Sequence, residues 1–596
     1  MKLKTTLTIV AVCCLVTGAF SQTNPLVRHL PGNASMIISF NPVRLGSKVS
    51  PEIFRQSFLY KEMMGKKGGG KDLMALLAKS GIDFSTDLLI GFVYDTSNFS
   101  TYTCILGKLN NASAFTSMVQ DNIKDDSIHV YGNNKIRVTG GGAIAWNNDL
   151  FVFSAGGNMP SSRNLVSVTT DSTVAIMDTI VEADTATTRI TVTNEVTEEE
   201  RLKNEQWIEK IRVEMFQDLK DRCFSLLSGD AKNNFGSDTR LQALLNEPGD
   251  IKIWNKGTPN PVLGRMFGMG NLANLGMLSG TTKTSVINFE NGKIVTKGRN
   301  YINQSLADVY SKYPALPLNT ELARRLPAGK VIGLLATSYD PAIGKEMIEK
   351  TGAGNLFEEM KGKMPFDVTL LATSFKSNIL LAVLDGGEAG PNDVSDQKKE
   401  GVRFIMAIPI ANTAKFETLR TSVAHFIDSM KKAEPGEKMF GKGFNPAVRY
   451  NSELCVIASS AQVAEAFLAD PGTGVVPEWL ETYKQHPFVL QVDLHRVFTE
   501  MLGKSPSGKN NMGMEERKIV DNFDKILVYG GEFEGGALHQ TMEIRFANTN
   551  ENSLKQLFQI VNMAAEASEN SLRRYDSDPP PQIELDTPVP PPRHRR

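Results

Sequence analysis

Short apolar runs closed by Asn, Asp, Gly or Pro recur along the chain, and their order repeats. Near the start, Arg28-His29-Leu30-Pro31 precedes Met36-Ile37-Ile38-Ser39-Phe40, and Asn41-Pro42 closes the run. Far downstream, Arg324-Arg325-Leu326-Pro327 precedes Val331-Ile332-Gly333-Leu334-Leu335, and Asp340-Pro341 follows. Both copies then enter a Gly/Lys segment, Gly46-Ser47-Lys48 and Gly344-Lys345. A pattern that returns in this way marks a duplicated structural module. A run of this length between turn residues predicts a buried strand at Met36–Phe40.

The periodicity then predicts helices around Glu52–Met64 and Asp72–Lys79, separated by a Gly-rich loop from Gly65 to Gly70. Strands follow at Leu88–Tyr94 and Thr101–Leu109. Asn111 or Ser113 supplies a side-chain oxygen to cap a helix running to about Val119. A hairpin closes the unit, with Ala143–Trp146, a turn at Asn147-Asn148, and Leu150–Phe153. The downstream copy matches: Asn412–Phe416 follows the strand Phe404–Ile408 and opens a helix, as Asn111–Phe115 does. Ala447–Ile457 lies over Ala143–Phe153 without a gap, which aligns Tyr450 with Trp146 and Cys455 with Phe151. Cys455 is therefore a small apolar residue of a strand core.

Each long unit is followed by a shorter one of strand, helix and hairpin. The first starts at Asp250–Trp254 and closes through Asn288-Phe289-Glu290-Asn291-Gly292. The second starts at Pro487–Asp493 and closes through Glu532-Phe533-Glu534-Gly535-Gly536. Hairpin-joined strands with interspersed helices predict an α+β fold of two homologous halves with mostly antiparallel sheets. The division is a signal peptide at 1–21, a long unit at 22–158, an insertion at 159–246 and a short unit at 247–317. A second long unit at 318–483, a second short unit at 484–567 and a Pro-rich tail at 568–596 complete it.

The insertion has no counterpart in the second half. Val166 to Asn194 is rich in Thr, Val and Asp and poor in aromatics, and reads as an exposed linker in preference to an added β-ribbon. Asp-Ser/Thr-x triplets within it place candidate O-glycosylation at Ser172, Thr179 and Thr185. Thr197–Glu200 is a capping box, and the helix beyond it sets Ile208, Ile211, Met215, Leu219 and Leu226 on one stripe. That stripe reads as a helix packed over a sheet. The tail, with Pro579–Pro581 and Pro588–Pro592, has no apolar set to fold around.

At the N-terminus Lys2 and Lys4, the apolar stretch Leu7–Val16 and Ala19-Phe20-Ser21 form the pattern of a cleaved secretion signal. The apolar stretch is too short to cross ~30 Å of hydrocarbon, and no later segment reaches that length. The 596 residues carry a formal net charge of −1, so neither nucleic acid nor an anionic membrane is expected as a partner. Cys104, Cys223 and Cys455 remain beyond the signal, too few for a disulfide framework.

Catalytic patterns are absent or broken. Gly65–Lys71 imitates a phosphate loop, but Asp72 stands where Ser or Thr should hold Mg²⁺. Lys350-Thr351-Gly352 and Ser429 with Lys432 echo penicillin-binding enzymes in the wrong order. No Gly-x-Ser-x-Gly, His-Glu-x-x-His or Cys-x-x-Cys occurs, so no nucleophile elbow, metal or cofactor is expected. Asp493 and His495 read as a capped surface pair. Met266, Met269 and Met277 form a soft cluster, which packs a core or lines an apolar groove.

The combined pattern resembles a family of exported Bacteroidota proteins described only as a large domain of unknown function. The resemblance rests on the Leu-Pro opening and its strand into Asn/Asp-Pro, on Asp250–Trp254, and on the Phe-Glu-x-Gly hairpins. It covers most of residues 25 to 560 and implies a fold and export, with no reaction. The expectation is a non-enzymatic envelope protein, periplasmic, outer-membrane-associated or extracellular, that binds a partner protein or acts as a scaffold. The alternative is a carrier holding an apolar or lipid-like ligand between the halves, with Met266, Met269 and Met277 in the groove. A hydrolase built on scattered carboxylates is a third reading. It requires a polar cluster unique to one half, and the sequence pattern offers none.

Overall fold

A computed structural model describes residues 24–58, 60–61, 73–95, 100–122, 127–139, 142–157, 174–182, 185–193, 198–229, 235, 238–257, 280–326, 331–350, 368–384, 403–433, 447–503 and 514–577. The fold is α+β, as the sequence predicts, and all but two of its described strands form one antiparallel sheet. In the first half these are Ala34–Phe40 (β1), Leu88–Asp95 (β2), Ser100–Lys108 (β3), His129–Tyr131 (β4), Asn134–Thr139 (β5), Gly142–Trp146 (β6) and Leu150–Gly157 (β7). Val174–Glu182 (β8) and Thr185–Thr193 (β9) pair only with each other. Ile251–Gly257 (β10), Thr281–Glu290 (β11) and Lys293–Tyr301 (β12) end that half. The second half contributes Val331–Thr337 (β13), Ile379–Leu384 (β14), Arg403–Pro409 (β15), Ala447–Tyr450 (β16), Leu454–Ala458 (β17), Phe488–Asp493 (β18), Phe523–Glu534 (β19) and Ala537–Phe546 (β20).

Pairing runs β4-β5-β6-β7-β3-β2-β1-β10-β11-β12 through the first half. From β12 it crosses to β20-β19-β18-β13-β14-β15-β17-β16. The halves therefore join strand to strand, at β12 and β20. Lys293 pairs with Arg545 and Tyr301 with Ala537. The Phe-Glu-x-Gly hairpins make Lys293 equivalent to Ala537 and Tyr301 to Arg545, so each pair maps onto the other. A local twofold axis thus passes between the partners Lys297 and Thr541, which are themselves equivalent.

Duplication extends to single side chains. Asn24 and Asn319 each cap a 3-10 turn before the Leu-Pro step, accepting from Leu26 and Glu321 N–H at 3.0 Å. Asn111 and Asn412 each cap the helix predicted to follow, accepting from Ala114 at 2.9 Å and Lys415 at 3.0 Å. Asn111 is the cap, and Ser113 lies inside the helix. Asn147 and Asn451 each hold the hairpin turn by accepting from the next strand's first residue, Leu150 or Leu454, at 2.9 Å. Short polar side chains that mimic a backbone turn are why Asn recurs at these points. The tips of the two short hairpins differ. Gly535 and Gly536 both take positive φ, as a two-residue turn between twisted strands favours.

On one face of the sheet lie two large cores. Leu30, Ile37, Leu89, Leu106, Ile136 and Val152 pack under the helices Glu198–Ser228 (α1) and Thr239–Asn246 (α2). Leu334, Leu380, Ala407 and Val456 pack under Ala461–Ala469 (α3) and Glu478–Tyr483 (α4). The predicted α1 stripe is met at Leu219 and Leu226, with Met215 partly buried beside them. The side chains of Ile208 and Ile211 lie outside the described residues. Upstream, Leu202 and Val213 are exposed, so α1 covers the sheet with its C-terminal part.

The insertion departs from its expected form. Val174–Glu182 and Thr185–Thr193, read above as a linker, pair in continuous register as a ribbon. β-Branched Val, Ile and Thr favour a pleated ladder. Candidate sites Thr179 and Thr185 lie on this ribbon. Ser172 falls outside the described residues, as do the signal segment, the Gly65–Lys71 loop and residues 578–596 of the tail, whose first part, 568–577, instead continues the helix Ser553–Ser577.

Candidate apolar binding face

Neighbouring side chains of a strand point to opposite faces, and directly paired residues share a face. Opposite the two large cores, an unbroken row crosses the sheet. It runs Leu88, Phe40, Ile251, Ile287, Thr296, then Met542, Val528, Leu490, Leu335, Leu381 and Met406. At about 4.8 Å per strand the row is about 48 Å long. Ile90, Ile38 and Ile253 flank it in the first half, and Gly333, Val492, Ile526 and Ile544 in the second.

These residues are only part-buried, with Val528 alone fully covered, while each residue of the row has at least one fully buried sequence neighbour on the other face. None of them is among the strongly exposed apolar side chains. The row is therefore recessed. Among the described residues, buried clusters on this face form near its ends, and Phe289 and Phe546 are buried singly between them. Phe115 stacks on Phe151 and meets Trp146 edge-on at one end, and Phe416 meets Tyr450 edge-on at the other. Cys455 sits in the second of these clusters, in the strand-core role predicted for it. The helices Leu494–Gly503 and Ser553–Ser577 pack against β18 and β19 and against β11 and β12, and Phe498 meets Phe523 edge-on beside Phe546 of this face, so the row lies partly beneath them.

Between the halves the face is not uniform. At β10, β11 and β12 it presents Asn255, Lys283 and Asn300 in one row, and Ser285 and Gly298 in the next. The twofold-related positions are Val492, Ile526 and Ile544, with Val528 and Met542. A one-residue bulge at Gly530-Gly531, both at positive φ, keeps these positions in step beyond the hairpin tip. The first half therefore offers polar groups where the second offers only hydrocarbon and thioether.

A buried charge cluster is also confined to the first half, which corrects the expectation that none exists. Lys48 pairs with Asp250, whose side chain is 2% exposed, and Lys252 pairs with Asp87 at 3.2 Å. Asp250 also accepts from Phe289 N–H at 2.7 Å. Asp87 accepts from Ser39 at 2.8 Å and from Asn41 at 3.2 Å. The cluster joins residues far apart in the chain, so no local pattern announces it. Its carboxylates are engaged by lysines, a hydroxyl, an amide and a backbone N–H, which fits a brace between β1, β2, β10 and β11. In the second half the related positions hold Pro487 and Val489, in line with Asp250 and Lys252, and the Ser338 hydroxyl is buried there without a hydrogen-bond partner.

Other candidates have structural roles. Burial raises the Cys104 and Cys223 thiols to about 12 and Cys455 to about 11, which keeps them protonated and unreactive. Asp493 caps the helix Leu494–Gly503 through Arg496 N–H at 2.9 Å, while His495 turns to Asp521 at 3.2 Å. Ser429 lies within the helix Thr413–Ala433. Met266, Met269 and Met277 lie outside the described residues. Among the described residues no group of three metal-ligating side chains assembles, and no helix is long and apolar enough to cross a membrane.

No protein-family model matches the chain, and no curated protein matches it. Among solved structures it is similar to TP0453 in crystal form I, at 10% identity and a TM-score of 0.24. That likeness covers 48% of this chain and 80% of that one. For crystal form III the values are 8% and 0.25, over 49% of this chain and 88% of that one.

Proposed function

We propose that this chain is an exported, non-enzymatic binding protein that carries an apolar or lipid-like ligand on the recessed face of its sheet. One observation carries the reading: a row of apolar side chains about 48 Å long at ~4.8 Å per strand crosses both halves, recessed and part-covered. A slender apolar ligand fits such a face better than the raised, strongly exposed patch that a scaffold uses to meet a partner. The carrier reading thus displaces the scaffold as first choice. The hydrolase reading loses support because the buried carboxylates of the first half are held by lysines and hydrogen bonds of the fold. Export, and kinship with the Bacteroidota family, remain part of the proposal and rest on the N-terminal pattern and the repeated motifs.

The test is purification of the exported chain without detergent, after mild cross-linking, followed by mass spectrometry of extracted small molecules and of linked proteins. A lipid-like molecule in stoichiometric amount is the expected result. A stoichiometric protein partner with no apolar molecule overturns the carrier and restores the scaffold.

A further inference from the structure

The two large cores do not meet. On their face of the sheet the first ends at Val286 of β11, and the second at Leu527 and Tyr529 of β19. Between them β12 and β20 carry a polar strip, in which Lys293 is partnered by Arg545, Lys297 by Thr541 and Arg299 by His539. Lys297 stands exposed beside the local twofold axis, with no ion pair among the described residues. Lys293 and Arg545 hold the buried Glu543 at 3.4 and 2.7 Å, and Arg299 pairs with Glu247. Their side chains nonetheless stay 34%, 33% and 35% exposed, and each has more N–H groups than one carboxylate takes up.

We infer that this strip receives an acidic polypeptide segment of a partner protein, whose carboxylates meet Lys297 and the outward N–H groups of Arg299, Arg545 and Lys293. Charge-assisted contacts of this kind are among the stronger polar ones. The strip has the dimensions of one chain. From β11 to β19 is three strand spacings, about 14 Å, and the nine residues of β12 run for about 30 Å. On the α2 side Arg240 lies over the Tyr301 ring at 4.7 Å, and on the α4 side Tyr483 stacks on Tyr529 at 4.4 Å. These contacts already occupy the aromatic rings at the margins, which disfavours a sugar or base that binds by stacking. Exposed Glu290 and Glu534, at the two hairpin tips, confine an acidic segment to the stretch between them. The chain as a whole carries −1, so the attraction belongs to the strip. This face lies opposite the recessed row, and the inference stands independently of the carrier reading.

Fluorescence anisotropy of the full chain decides it, with a fluorescein-labelled peptide of alternating Glu and Ala as the probe. A Lys/Ala peptide of the same length and a heparin oligosaccharide serve as comparisons. At low salt the acidic peptide should bind and the basic one should not, and added salt should weaken the complex. Lys297→Glu should weaken it about tenfold, because it sets a like charge in the middle of the strip. Lys283→Glu, at an exposed lysine of the opposite face, should leave it unchanged. No binding of the acidic peptide at low salt overturns the docking strip. An equal loss in the two variants also overturns it, since charge anywhere on the surface would then suffice. Tighter binding of heparin, lost in Lys297→Glu, overturns the polypeptide and makes an anionic sugar chain the ligand.

Discussion

The two faces of the sheet carry similar apolar side chains and meet different fates. On one, Leu89, Leu106, Leu334 and Val456 are shut away beneath α1 to α4. On the other, Ile38, Ile253, Leu490 and Leu381 remain part-exposed, with buried clusters toward the ends of the row. Hydrophobic content alone does not make a core. A face becomes one only where another element packs closely against it.

The largest effect in this comparison is expected at the brace beneath the covered face. Asp250→Ala leaves Lys48 and the Phe289 N–H without their carboxylate and should cost about 4 kcal/mol, the usual result of removing one partner of a buried pair. Urea unfolding measures it, and a loss within experimental error would show the brace to be ornamental. Next come two matched truncations. Leu106→Ala, on the covered face, should cost about 3 kcal/mol, and Ile253→Ala, on the recessed face, about 1 kcal/mol. Equal losses in the same unfolding measurement would erase the distinction between the faces.

Chemical labelling sharpens the contrast without mutation. Peroxide should convert Met542 and Met406 of the recessed face to sulfoxides in the native chain. Iodoacetamide near neutral pH should reach Cys104 and Cys223 only after denaturation, since burial holds both thiols at about 12. Peptide mass mapping reads both. Protection of the two methionines in a chain shown to be free of ligand would mean that the face is closed.

The smallest effect concerns acid. Hydrogen bonds from Lys312, then Tyr313, hold the Glu346 carboxyl down at about 2, against an ordinary 4.5. A depressed carboxyl contributes stability that is present above its ordinary value and lost as pH falls toward the folded one. Glu346→Gln should therefore flatten the stability–pH curve between about 4.5 and 2 and leave the recessed face's ligand binding at neutral pH unchanged. An unaltered acid limb would mean that solvent screens this exposed contact.

Much of the fold was legible because local chemistry repeats. Asn at helix starts and turns, Leu-Pro before a strand, and Phe-Glu-x-Gly at a hairpin each act over a few residues, so spacing alone exposes them. The alignment of Tyr450 with Trp146 survives as equivalent edge-on contacts to Phe416 and Phe115. The site was less legible. Alternation in β1 and β13 shows that a strand has two faces, but not which face the helices will cover. Lys48, Asp87, Asp250 and Lys252 come from separate elements, and no short pattern holds them together. The β8–β9 ribbon was not legible, because its polar composition masks the run of β-branched residues.

By itself the sequence determined the α+β class, the duplication, and the caps and turns, because these depend on backbone preferences and hydrogen bonds between near neighbours. Tertiary structure decided that β12 pairs with β20, so that the two halves form one sheet about a local twofold axis. It also decided that one face is covered and the other recessed, and that polar groups gather on only one side of the axis. These features depend on pairing and packing between residues hundreds of positions apart, where proximity is created by folding.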